Sequence, residues 1–274
     1  MVVEILIFVI FVASAISCYA ADEEKEYSLN GQICKEIYET DLINYIKKKD
    51  CWYEGTDQKA VEVYYKNGKA DGAARTWYEN GQLHQEFPYK LGTMSGTFRE
   101  WFENGQQKSE ELYENGNMEK RLTWYENGQL NSIVFYKDGK VNGVMRIWSE
   151  EGLLQYEFSD KMGVHDGVWR SFHKNGKMAL EEYYKEGKRD GASRFWNDKG
   201  QLRSESVYKN GLKNGKFRLY FDNGQLGAEG YYKNGERDER WKYWNEEGQL
   251  VFEERYENGL LKYETQSEKN GILK

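Results

Sequence analysis

Seven bases recur at fixed places along this 274-residue sequence, and an aromatic follows each of them two residues later. The pairs are Arg75 and Trp77, Arg99 and Trp101, Arg146 and Trp148, Arg170 and Phe172, Arg194 and Trp196, Arg218 and Tyr220, and Lys242 and Trp244. Side chains alternate along a strand, so a spacing of two puts base and ring on one face. Two kinds of chemistry are open to such a face. A base beside a ring gives cation–π contact or planar stacking that holds a thin sheet together. Trp, Tyr and Arg are also the types enriched in binding hot spots, so the same ladder can be a long recognition surface. Acids recur too, at Glu62, Glu86, Glu110, Glu157, Glu181, Glu205, Glu229 and Glu253. Placed across from the bases, they would neutralise the face and fix the strand register. A tyrosine ladder runs through Tyr65, Tyr89, Tyr113, Tyr136, Tyr184, Tyr208, Tyr232 and Tyr256.

Catalytic chemistry has no comparable pattern. The three histidines, His84, His165 and His173, occupy non-equivalent places in the repeat. The periodic glutamates read as a paired or solvated face rather than a glycosidase pair. There is no EF-hand, HExxH, P-loop or dinucleotide fingerprint. The expectation is a chain with no catalytic residues, metal or cofactor.

The elements that must carry these ladders follow from glycine spacing. One series falls at Gly81, Gly105, Gly128, Gly152, Gly176, Gly200, Gly224 and Gly248. A second interleaves at Gly68, Gly92, Gly116, Gly139, Gly163, Gly187, Gly211, Gly235 and Gly259. Both keep a period of 24 residues with one interval of 23 each. Asn-Gly occurs 14 times, mostly at these places. Asn and Gly accept the positive φ of a type I′ hairpin turn. The short segments between turns have strand length. Each unit is therefore a β-hairpin, and the chain is an all-β, elongated antiparallel hairpin array. About eight units at two strands each predict a sheet roughly 75–80 Å long.

These residues resemble MORN repeats, in the bacterial MORN-2 variant. The stretch Gly167-Val168-Trp169-Arg170-Ser171-Phe172-His173-Lys174-Asn175-Gly176, followed by Tyr183-Tyr184-Lys185-Glu186-Gly187-Lys188, carries the likeness, which covers about residues 52–262. Two departures are Lys120 and Glu239 in place of the leading glycine, and the unit ending at Gly128 is one residue short. Irregular or kinked hairpins are expected there. The resemblance implies a twisted single-sheet scaffold without catalysis. Bacterial relatives carry an antitoxin-like label. The repeats also accompany phosphatidylinositol phosphate kinases, but nothing here resembles a kinase domain.

The remaining segments have a different texture. Ile5 to Ile16 is nearly unbroken apolar, too short to span a membrane as a helix, and Cys18-Tyr19-Ala20 approximates a cleavage site. Residues 1–20 read as a secretory signal peptide. Ala15-Ile16-Ser17-Cys18 also approximates a lipobox, with Cys18 as the lipidated residue. The address is export: periplasmic, cell-surface or secreted. Cys34 and Cys51 then remain, as one disulfide in an oxidising compartment or as two separate thiols. Residues 21–51 form a cap segment. The spacing of Ile37, Leu42, Ile43 and Ile46 before Lys47-Lys48-Lys49 predicts a short helix over about 36–48, with an extra degenerate hairpin at Asn30-Gly31 as the alternative. Residues 263–274 form a tail.

Composition bounds the partner. Net charge is −7, and loss of residues 1–20, whose one charge is Glu4, leaves −6. That excludes nucleic acid as a main ligand and disfavours anionic lipid. A protein partner is expected, with a cell-wall glycan on the aromatic ladder as the alternative and membrane lipid as a further one.

Overall fold

The structure is a computed structural model that describes residues 25–29, 31–41 and 44–266. The signal-peptide segment and Cys18 lie outside them. All regular structure among the described residues is β-strand, and every strand pairing is antiparallel. The chain divides into two compact units, Met1–Glu119 and Lys120–Lys274.

The first unit opens with strands β1 (Lys25–Leu29), β2 (Gln32–Asp41), β3 (Asn44–Tyr53) and β4 (Lys59–Lys66). The helix expected over 36–48 does not form. β2 and β3 pair along their whole lengths, from Gln32 opposite Tyr53 to Asp41 opposite Asn44. Cys34 stands directly opposite Cys51, and the two are disulfide-bonded with Cα atoms 4.0 Å apart. A helix would break that register and leave the β4 edge, which β3 covers from Ile46 to Trp52, without a partner. Lys48 ends no helix; it bridges Asp50 at 3.2 Å and Glu62 at 3.0 Å. The hairpin at Gly31, the alternative reading, is present, with φ of +73°. Cys34, Cys51, Ala60, Val63, Ala74 and Phe98 are buried and form the small core of this unit. A disulfide closing this short loop contributes about 3 kcal/mol.

From β4 onward both units repeat one hairpin. Its two turns differ. In the second glycine series both central residues are left-handed, as at Asn67-Gly68 and Asn210-Gly211, which is type I′. Leu91, Met162 and Glu186 take the same φ near +50°. In the first series only the glycine is left-handed, so the expectation of type I′ turns throughout is corrected there. Gly81 N–H donates to the Tyr78 carbonyl at 3.0 Å, and Tyr78 N–H donates to the Gln82 carbonyl at 2.9 Å. Asparagine serves in that turn through its side chain instead. Asn80 Oδ1 accepts from Gln82 N–H, while its Nδ2 donates to the Glu103 carbonyl of the next repeat, both at 2.9 Å. Asn127, Asn175 and Asn223 repeat the second bond to Glu150, Asp198 and Glu246. The residue three before the turn glycine adds another rung, as the Tyr78 and Tyr125 hydroxyls donate to the Trp101 and Trp148 carbonyls, and Tyr53 bonds the Trp77 carbonyl in the same way.

The leading glycine also has a job. At Gly215 φ is +131°, and a Cβ there would lie 2.9 Å from Val207 Cβ. Glu239 fills the equivalent slot by turning to φ of +59°, and its strand keeps the nine-residue length and register of its siblings, so the irregularity expected there is corrected. The short unit is different. Its strand Asn117–Trp124 has eight residues where Val164–Phe172 has nine, and it contains no left-handed residue. The missing residue removes the bend, so this strand is more regular than its siblings, which corrects the expectation of a kink there.

Candidate functional site: two faces of the hairpin sheet

Arg and Glu of the sequence ladders stand directly opposite each other. In the second unit the register runs from Arg146 to Glu157, Arg170, Glu181, Arg194, Glu205, Arg218, Glu229, Lys242 and Glu253 without interruption. In the first unit Glu62, Arg75, Glu86, Arg99 and Glu110 form the same row. Each arginine Nε bonds the glutamate that follows: 2.7 Å for Arg75–Glu86, 3.2 Å for Arg99–Glu110, 2.7 Å for Arg146–Glu157, and 2.9 Å for Arg170–Glu181, Arg194–Glu205 and Arg218–Glu229. The terminal nitrogen reaches back, as from Arg170 to Glu157 at 2.8 Å and from Arg194 to Glu181 at 3.3 Å. Lys242 bridges Glu253 at 3.6 Å. Arg146 has an acid on one side only, because Leu122 and Ile133 fill the preceding two places.

Protonation follows from this pairing. Hydrogen bonds and charge of the flanking glutamates raise Arg170, Arg194 and Arg218 above the ordinary guanidinium range. Burial pushes Glu157 and Glu229 up, but bonds to Arg146 and Arg170, and to Arg218 and Lys216, outweigh it and hold both low. The row begins with two acids side by side, Asp50 opposite Glu62. Burial raises Glu62, yet Lys59 and Lys48 together bring it down to about 2.

The ring partners of the ladder are half-buried for a packing reason. Trp77, Trp101, Trp148, Phe172, Trp196, Tyr220 and Trp244 each stand opposite the residue that follows the turn: Leu83, Gln107, Leu154, Met178, Leu202, Leu226 and Leu250. The ladder arginines are bonded to glutamates rather than stacked on these rings. Cation–π contacts come from other bases, such as Lys59 over Trp77 at 5.8 Å. The expectation of base-on-ring stacking along the ladder is thereby corrected, while cross-strand Arg–Glu pairing is observed.

The opposite face carries side chains that the ladders did not include. Residues one before and one after each base alternate onto it. Trp169 packs against Phe158 at 5.8 Å and Tyr184 at 5.7 Å, with His165 edge-on at 5.1 Å. Trp241 is 1% exposed; Phe217, Tyr232 and the Arg237 guanidinium surround its ring, and Gly230 lies beneath it. His165 Nδ1 lies 2.5 Å from Asp160 Oδ1. One row on this face is largely apolar and exposed in places, with Ser171 and Ser204 within it and Ala228 buried. Ile147, Tyr156, Ser171, Leu180, Phe195, Ser204, Leu219, Ala228, Tyr243 and Phe252 stand opposite one another in succession. Tyr156, Phe195 and Leu219 are 43%, 46% and 45% exposed.

Six segments of the chain match the family model described as the MORN repeat variant: residues 70–91, 94–115, 120–138, 166–186, 189–210 and 213–234. These six segments are similar to MORN-variant repeats. The hairpin continues outside the matched segments, at Leu154–Lys161, Glu236–Trp244 and Leu250–Glu257. No curated protein matches the chain. Among the described residues, no group of three His, Cys, Asp or Glu side chains is placed to hold a metal ion.

Proposed function

We propose that this chain is an exported, non-catalytic scaffold that docks a partner protein on the apolar row of its second unit. The observation that carries the reading is the exposure of Tyr156, Phe195 and Leu219 in one unbroken cross-strand row. Large apolar side chains aligned in this way are a recognition surface. The ladder face, with its charges satisfied internally, offers a partner less. Arg75, Arg99, Arg146, Arg170, Arg194, Arg218 and Lys242 thus act in register and not in recognition. Export is supported by the apolar amino-terminal stretch and by the Cys34–Cys51 disulfide, a feature of oxidising compartments. An immunity role against an envelope-acting toxin is the narrower form of the same reading.

Site-specific photo-crosslinking tests it. A benzophenone amino acid at position 195 is expected to yield a discrete protein adduct in cells that express the chain. The same probe at position 172, on the ladder face, is expected to yield none. Adducts at 172 alone, or at neither position, contradict the proposal.

A further inference from the structure

On the ladder face, the row beside the Arg–Glu ladder is neutral in most places. Val144 faces Ser159, Val168 faces Tyr183, and Ala192 faces Val207. Its last pair breaks that pattern, because Arg240 stands directly opposite Arg255. Like charges at directly opposed positions destabilise a sheet. The local acids do not resolve the conflict. Glu253 lies 3.7 Å from Arg240 and is shared with Lys242 at 3.6 Å. Among the described residues, no carboxylate lies within bridging distance of Arg255. Both arginines line an open groove of about 710 Å³, together with Tyr256, Tyr263 and Lys262. The groove's own acids are partly engaged: Asp238 Oδ1 accepts from Asn258 N–H at 3.1 Å, and Glu257 pairs with Lys262 at 3.4 Å. Glu239 is the remaining acid of the lining.

We infer that Arg240 and Arg255 form an oxyanion site, taking a carboxylate or phosphate group of a ligand that lies in this groove. A guanidinium presents paired N–H donors that match both groups, and two of them facing each other can bracket one anion. Tyr263, directly opposite Arg255 on the neighbouring strand, suits the ligand's less polar part. The bound anion would remove the repulsion that the pair now carries. This inference concerns the ladder face and stands apart from the docking reading above.

Titration calorimetry of the whole chain at fixed ionic strength, with inorganic phosphate in one arm and N-acetylglutamate in the other, tests it. One-site saturable binding in at least one arm is expected, and the arm that responds names the group. Arg255→Gln is expected to weaken it about tenfold or more, given the usual strength of hydrogen bonds to charged groups. Glu239→Gln is expected to tighten it. Both positions are exposed, so unchanged circular dichroism will show that the variants fold. No saturable heat in either arm, or equal binding by Arg255→Gln, overturns the site.

Discussion

A single arginine of the ladder illustrates how this chain spends its charge. Arg194 is bonded to Glu205 on one side and Glu181 on the other, and its side chain is 37% exposed. Exposed pairs of this kind contribute roughly 0.2–1 kcal/mol each. Their value lies in repetition, since a slip of one residue would put every Arg on the wrong face. Glu62 is the more buried case, with Lys48, Lys59 and Arg75 around it. Its carboxyl is held at about 2, below the ordinary 4.5. A depressed carboxylate binds protons more readily in the unfolded chain. Its contribution is therefore full above pH 4.5 and is lost as pH falls through 2. Urea unfolding across that window is expected to show stability falling with pH, and Glu62→Gln to flatten the fall. An unchanged slope in Glu62→Gln would mean that the lysines do not bind it as described.

At the scale of the hairpin, the residues that matter are those that let strands approach. Gly230 is one: a Cβ there would fall within the Trp241 ring. Trp241 in turn fills the place where the Glu239 hairpin meets Phe217 and Tyr232. Trp241→Ala is expected to cost about 3–5 kcal/mol in denaturant unfolding, as for other fully buried aromatics. A loss below about 1 kcal/mol would show that the ring is not a core element. Much of this element was legible from spacing alone. The two glycine series located both turns, and Arg–Glu pairing follows from the two ladders. The turn types were only half legible, because Asn80 and Asn67 precede glycine alike yet only Asn67 is left-handed. The segment over 36–48 misled because Ile37, Leu42, Ile43 and Ile46 mimic helical spacing, while the constraint that decides it, Cys34 opposite Cys51, is long-range.

Over the chain as a whole, periodicity was both guide and blind spot. It brought out the face whose residues repeat faithfully and hid the face whose residues vary. After successive bases come Ile147, Ser171, Phe195, Leu219 and Tyr243, which share apolar character in four of five places but not residue type. Strand alternation puts them opposite the ladder, and that was the available signal. A repeat array can keep one face constant to hold its register and let the other diverge toward a partner. The most direct measurement compares two double variants, each scored for unfolding midpoint and for yield of the crosslinked adduct, with the benzophenone at position 156. Phe195→Ser with Leu219→Ser is expected to keep the midpoint and lose the adduct. Arg194→Met with Arg218→Met is expected to lower the midpoint and keep the adduct. The reverse result, with the adduct lost only when the arginines are removed, would contradict the division of labour between the two faces.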